Sequence, residues 1–272
     1  MLRKLKKLIG EWVLLILAVP ILIPLYMLVV NSFKNQAEAA DMNLKLPLEW
    51  SMIDNYAELI ETGNILIGFK NSLLITLIST FIIVAVTSLA AFVIQRKKNV
   101  FSRILFNLFI LGMILPGFIV PTVLIIKSLH ILPVMGVILI FATGSIPLGI
   151  FLYVGYYKSI PRELDESAVI DGCGMLRLFY RIIFPLVTPI TATLVITSVL
   201  GIWNDFGTSI YLLSGEANQT LTLTMFYFFG PHSANWNLVF ACICISTLPV
   251  VIFYLFLQKY IIAGMTGGAV KR

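Results

Sequence analysis

Six stretches of the chain contain no Asp, Glu, Lys or Arg: 12–33, 71–95, 104–126, 128–157, 182–204 and 217–258. A hydrocarbon core about 30 Å thick takes about 20 helical residues, and every stretch is long enough. The pattern therefore predicts six membrane-spanning helices, near 12–31, 71–95, 104–126, 134–157, 186–210 and 237–257. The last stretch is entered through the polar run 215–219 and carries Gly230, Pro231, His232, Ser233 and Asn235. Those residues read as an outer loop ahead of the sixth span. A seventh crossing at 219–230 is too short.

Composition strengthens the membrane reading. Of 272 residues 59% are hydrophobic and 12% charged, with a mean hydropathy of +0.99; soluble domains carry about 25% charged residues. Disorder is excluded by the abundance of Leu, Ile, Val and Phe, and three cysteines cannot build a disulfide framework. The short alternating strands of a membrane barrel are missing too, which leaves an all-α integral membrane protein.

Charge sets the orientation. With the N-terminus inside, fifteen of the nineteen Lys and Arg residues fall on inner segments. They are Arg3, Lys4, Lys6 and Lys7; Arg96, Lys97, Lys98 and Arg103; Lys158, Arg162, Arg177 and Arg181; and Lys259, Lys271 and Arg272. Lys34, Lys45, Lys70 and Lys127 fall outside. This is the positive-inside bias, and it accounts for the net charge of +6 and puts both termini in the cytoplasm. Charges divided among membrane-flanking segments do not make a nucleic-acid surface.

The apolar run from Trp12 to Val30 exceeds a signal-peptide core and contains Pro20 and Pro24, so it reads as an uncleaved first span. The outer segment 34–66 holds Glu38, Asp41, Glu49, Asp54, Glu58 and Glu61. It has two readings: a short helix near 52–61 resting on the membrane, or a docking surface for an extracytoplasmic partner.

The inner segment 158–185 has the order of a built element. Pro161 suits a first helical position, Glu163 and Asp165 the positive end of the dipole, and Gly172 a left-handed stop. This predicts a cytoplasmic helix of about three turns from Pro161 to Asp171, with Glu163 and Glu166 on one face and Leu164 and Ala168 on another. A second short helix with Leu176, Phe179, Ile182 and Ile183 comes next, ending at Pro185. Such a helix suits the transmission of force; the alternative is a solvated loop helix.

Other chemistry is sparse. There is no G-x-x-x-x-G-K-[ST] loop to hold ATP phosphates and no H-E-x-x-H metal site, with His130 and His232 the only histidines. Cys242 and Cys244 point to different helix faces and read as core. Asp205, with Asn204, lies near the outer edge of the fifth span, either on a translocation path or gate or as an interfacial anchor. Pro116 and Pro121, Pro147, and Pro185 and Pro189 are placed to kink spans three, four and five. A secondary transporter would place acids or inverted repeats at mid-membrane, and an intramembrane enzyme a catalytic pair there; neither is found.

Glu166-Ser-Ala-x-x-Asp171-Gly172 followed by Phe184-Pro185 resembles the EAA loop of permease subunits in binding-protein-dependent ABC importers. Ser159-Ile-Pro-Arg-Glu-Leu resembles the carbohydrate branch with its smaller maltose-type permease. Asn31-Ser-Phe-Lys, Asn71-Ser-Leu-Leu and Ile114-Leu-Pro-Gly resemble the family as well. Trp203-Asn-Asp-Phe with the ending Phe256-Leu-Gln-Lys-Tyr through Gly267-Gly-Ala-Val-Lys narrows the likeness to sugar-type members, so it runs along nearly the whole chain. Ser167 stands where the second alanine is usual, and Cys173 where alanine often comes after Asp-Gly.

The resemblance implies a type I importer permease fold in the bacterial cytoplasmic membrane, with spans two to six forming the core and the first wrapping a partner. It implies a transport subunit rather than an enzyme. A second homologous permease, two ATPase subunits carrying ATP and Mg, an extracytoplasmic sugar-binding protein and a sugar substrate complete the assembly. This chain itself would bind no cofactor or metal. Glu163, Glu166, Ser167, Ala168, Asp171 and Gly172 are the expected contact with the ATPase. A non-sugar solute is the alternative cargo.

The basic-residue distribution generates a topology prediction: a reporter fused after Arg272, or inserted at 96–103, is cytoplasmic, and one at 216–220 is outside. Thiol labelling of 96–103 from outside sealed cells would contradict it.

Overall fold

A computed structural model describes residues 2–62, 64–97, 99–115, 117–228 and 235–269. Every regular element among them is a helix, as the apolar pattern predicts. In chain order these are α1 (Leu2–Ser32), α2 (Gln36–Ala40), α3 (Met52–Thr62), α4 (Ile65–Arg96), α5 (Val100–Ile114), α6 (Ile119–Ser128) and α7 (Pro133–Tyr157). They continue with α8 (Glu163–Ile170), α9 (Met175–Leu178), α10 (Phe184–Leu186), α11 (Thr188–Trp203), α12 (Gly207–Leu212), α13 (Leu221–Thr224) and α14 (Trp236–Ala269). The sequence positions Gly230–Ser233, Lys98, Pro116, Lys271 and Arg272 lie outside the described residues.

Among the described residues three helices, Ile65–Arg96, Pro133–Tyr157 and Trp236–Phe256, are long and apolar enough to cross a membrane singly. Counting each bent pair of apolar helices as one span raises the number to five, and α1 adds a shorter apolar stretch, Leu17–Ser32. The stretch 104–126, expected as one span, is divided between α5 and α6. Its cause is local: a residue before proline is pushed out of the helical region, and Leu115, ahead of Pro116, sits at φ −69°, ψ 135°. The expected span 186–210 is divided as well. The run Met175–Leu186 meets α11 at 78°, and α11 ends at Trp203 before the separate α12. Between residues 215 and 228 the chain forms a 3₁₀ turn, Glu216–Asn218, then α13 and a second 3₁₀ turn, Met225–Phe228, with no seventh crossing among the described residues.

The chain divides into two compact units: Met1–Phe69 with Leu221–Pro249, and Lys70–Thr220 with Val250–Arg272. In the first, Lys34 is buried and its ammonium donates to Asn31 Oδ1 (2.9 Å), Asn43 O (3.1 Å) and Asn43 Oδ1 (2.9 Å). Asn55 on α3 donates to the carbonyls of Ser32 and Lys34, and accepts from Asn237 at 2.8 Å. Three neutral oxygens thus satisfy the three donors of a cation too deep for water, as burial of such a group requires. Burial pushes the nearby Tyr56 phenol up to about 12, with its hydrogen bond to Ser32 opposing the shift. Leu46, Leu48, Trp50 and Ile53 stay exposed on this outer segment.

The second unit is centred on α4, α7 and α11. Tyr153, Tyr157 and Phe179 are fully or almost fully buried. Phe92 on α4 meets Tyr157 edge-on at 6.0 Å and Phe179 at 5.3 Å, and Tyr153 stacks on Tyr157 at 5.8 Å. Each hydroxyl finds an acceptor: Tyr153 at Thr191 Oγ1 (2.8 Å), Tyr157 at the Ser88 carbonyl (3.2 Å). In lipid the driving force between helices is packing rather than water exclusion, so close backbone approach matters. At Gly149 an added Cβ would lie 2.7 Å from Cγ2 and 2.9 Å from Cβ of fully buried Thr87.

Gly149→Ala should therefore lower the thermal unfolding midpoint of the purified chain, an overpacking cost of about 1–3 kcal/mol. Gly144→Ala, with nothing within 4 Å of the added atom, should leave it unchanged or raise it. Equal midpoints for the two variants would contradict the close approach.

Candidate functional site

The inner segment between α7 and α11 contains an eight-residue helix and a second, interrupted one. Helix α8 is shorter than the eleven residues expected, because Pro161 and Arg162 stay outside it and Asp171 is its C-cap. It opens with three acids, Glu163, Asp165 and Glu166, favourable beside the unpaired N–H groups of a first turn. It stops where its sequence stops it. Gly172 adopts φ +77°, Gly172 N–H donates to Val169 O, and Cys173 N–H donates to Ala168 O at 2.8 Å. That pair of bonds is the Schellman motif, which places a left-handed residue one position past the C-cap.

Beyond Gly174 the chain forms α9, one π-helical turn over Phe179–Ile183, and α10. Pro185 has no N–H to donate to the preceding turn. The widened turn, with Phe184 N–H reaching back to Phe179 O, carries the helix up to that residue. Phe179 from this turn is the side chain that enters the aromatic cluster of α4 and α7. The second half of the segment is thus pinned in the core, and α8 projects from it.

Two arginines fasten α8 to the end of α4. Arg96, the last residue of α4, reaches Asp165 with Nε to Oδ2 at 2.6 Å and Nη2 to Oδ1 at 3.1 Å. The side chains are only 10% and 18% exposed, and the hydrogen bond from Nη2 fixes the pair's geometry beside the close Nε contact. In return Arg162 donates to the carbonyls of Gln95 and Arg96, two of the acceptors that a helix end leaves open. Removing one partner of a pair this shielded leaves an uncompensated charge, a cost of about 3 kcal/mol. Nothing in the sequence joins Arg96, Asp165 and Arg162 into a unit, because 69 residues separate the ion-paired side chains. The one readable signal is that Asp165 lies on a different helix face from Glu163 and Glu166.

The expected contact residues separate by exposure. Glu163, Glu166, Ser167, Asp171 and Gly172 are exposed, and Ala168 is buried at 5%. Ser167 turns its hydroxyl onto the Glu163 carbonyl at 2.6 Å, so its polar group is used within the helix. Beside Glu166 the surface is apolar: Ile170 is 85% exposed, with Val169, Met175 and Leu176 also open. A cavity of about 420 Å³ runs between this patch and α4, lined among others by Phe92, Arg96, Asp165, Glu166, Val169 and Met175. A carboxylate thus rims an exposed apolar hollow.

Asn204 and Asp205 sit at the far end of α11, about 24 Å away along its 16 residues. Asn204 donates to Leu200 O. The Asp205 carboxylate accepts from the backbone N–H of Thr208 and Ser209, both at 3.0 Å, and from both hydroxyls. It caps α12, which explains why the span breaks there. Also at this level, Asn71 donates to the carbonyls of Ala217 and Gln219, both at 2.9 Å, fastening the outer segment to α4. Among the described residues no group of three or more His, Cys, Asp or Glu could hold a metal.

Comparison with known proteins agrees with this arrangement. Residues 83–267 match the family described as binding-protein-dependent transport system inner membrane component. The chain is 37% identical to the probable starch degradation products transport system permease protein AmyC of Thermoanaerobacterium thermosulfurigenes, over 92% of this chain and 91% of that one. It is 37% identical to the melibiose/raffinose/stachyose import permease protein MelC of Bacillus subtilis, with 92% and 91% covered. The multiple sugar-binding transport system permease protein MsmG of Streptococcus mutans is 35% identical, with 92% of each covered. The fold matches a chain in the crystal structure of a bacterial ABC transporter involved in import of the acidic polysaccharide alginate, with a TM-score of 0.83 at 20% identity over 95% and 97% of the two chains. An all-helical chain of apolar spans, with an acidic helix held at one end of its bundle, thus belongs to the inner membrane components of binding-protein-dependent ABC importers.

Proposed function

We propose that this permease carries oligosaccharides, as one half of the translocation pathway of an ATP-driven importer. The cargo class follows the names of three relatives at 35–37% identity, which speak of starch degradation products, of melibiose, raffinose and stachyose, and of multiple sugars. In this reading the chain crosses the membrane six times, with α5 and α6 forming one broken span and α1 the first. Both termini are cytoplasmic, on the side where the basic residues gather. A second homologous permease completes the pathway, two ATPase subunits bind ATP and Mg, and an extracytoplasmic binding protein delivers the sugar.

The observation that carries the mechanism is the exposed face of α8, where Glu166 borders Val169 and Ile170 while Asp165 turns inward to Arg96. Helix α8 docks on the ATPase through Glu166 and the apolar residues beside it, with a basic group opposite the carboxylate. ATP binding moves the ATPase and carries α8 with it. The ion pair to α4 and the Phe179 anchor pass that displacement into the bundle, which alternates between inward-open and outward-open states. Nucleotide and sugar are coupled only through their different contacts in the two states. Asn204 and Asp205 shape the outer end of the path by ending α11 and starting α12.

Losing one partner of a desolvated interfacial charge pair costs about 2–5 kcal/mol, or about 1.5 to 3.5 decades in docking affinity. In proteoliposomes with the partners reconstituted, Glu166→Ala should reduce transport and binding-protein-stimulated ATP hydrolysis, and Glu166→Lys should reduce them further. Glu163→Ala removes only a dipole contribution of about 0.3–1 kcal/mol and should remain close to wild type. Near-normal coupling in Glu166→Lys would contradict the contact.

A further inference from the structure

Beside the contact of Arg162 with the end of α4, that end, the start of α5 and the end of α7 surround a cavity of about 290 Å³. Three cations line it, Lys97, Arg103 and Lys158, and none of its lining residues is a carboxylate. Their neighbours in sequence are occupied: Arg96 is held by Asp165, and Arg162 by the carbonyls that end α4. Among the described residues Lys97, Arg103 and Lys158 meet no carboxylate. They are exposed to the cavity mouth, while Ile94, Phe106 and Val154 give it an apolar wall.

Helix α5 starts at this cavity. Its N-cap is Asn99, whose side chain accepts from Ser102 N–H at 2.8 Å. Fifteen helical residues point the positive end of their dipole into the same space, which adds to the three side-chain charges. Lys97 and Lys158 stand just past the C-terminal ends of α4 and α7, which offset part of their charge. Arg103 at the start of α5 has no such offset, and an anion in the cavity answers the remainder. The positive-inside bias accounts for cations at this level of the membrane, but not for their convergence on an apolar-walled hollow.

We infer that this cavity binds the phosphate headgroup of an anionic phospholipid, such as phosphatidylglycerol. Lys97, Arg103 and Lys158 contact the phosphate, and the upper acyl chain lies along Ile94, Phe106 and Val154. Both features of the site select this occupant. The cations require a phosphate-bearing anion, and the wall, set where two long apolar spans end, requires that the anion arrive on a hydrocarbon tail. Basic pockets between helix ends on the cytoplasmic side are where such headgroups settle, at about 1 kcal/mol, or about fivefold, per Lys or Arg.

The test is native mass spectrometry of the full chain in mild detergent, titrated with phosphatidylglycerol and phosphatidylcholine of matched acyl chains. The wild type should retain phosphatidylglycerol in preference, by about fivefold or more for each cation engaged. Lys97→Gln, Arg103→Gln and Lys158→Gln together should abolish the preference, and Lys158→Gln alone should lower it about fivefold. Neutralising Lys45, Lys70 and Lys127 to Gln should leave it intact. Excess inorganic phosphate should not displace the lipid; displacement would mark the site as one for a water-soluble phosphate and overturn the lipid assignment. Equal retention of the two lipids by the wild type, or full preference in the triple variant, would overturn it as well.

Discussion

Helix α8 has eight residues, too few to hold helical form unaided in water, and the ion pair between Arg96 and Asp165 fixes where it stands. The pair is shielded, hydrogen-bonded through Nη2 and backed by Arg162 on the carbonyls that end α4. Its consequence is a division of labour among three acids within four residues. Asp165 is spent on the bundle, Glu166 stays exposed, and Glu163 favours the first turn. In the proposed reading, a contact surface that both grips an ATPase and moves a membrane bundle needs this separation. One acid serving both purposes would have to release the bundle in order to bind.

The lipid environment shapes how the rest is built. Where hydrocarbon offers no hydrogen bonds, breaks in helices must be satisfied from within, and each break here has its own device. Asp205 caps α12 with its carboxylate, a π turn absorbs the proline after Phe184, and Leu115 leaves the helix ahead of Pro116. Buried Lys34 finds three neutral oxygens from Asn31 and Asn43, so among the described residues this cation is held without a counter-ion.

Much of this architecture is legible in the sequence. The charge-free runs locate the apolar helices, Gly172 announces the stop that its positive φ bears out, and the Glu166 motif carries the family. Two features escape, each for a physical reason. Charge counting measures whether a stretch can sit in lipid, not whether it is one rod, so the divisions at Leu115–Phe118 and Asn204–Phe206 look like no more than kinks. Pairing across 69 residues leaves no periodic trace, so Arg96 looks like one more inside cation rather than the anchor of α8. Asp205 is visible as an acid near membrane depth, but its cap depends on the chain turning at Asn204.

If force from the ATPase enters the permease through the exposed face of α8, that face must touch the ATPase while the transporter works. A photo-crosslinking residue placed at Ile170, in cells making the complete transporter, tests this most directly, with Leu108 on the exposed side of α5 as the reference position. An adduct with the ATPase subunit should form from position 170 and none from position 108. Sustained transport with no ATPase adduct at position 170 would contradict the contact.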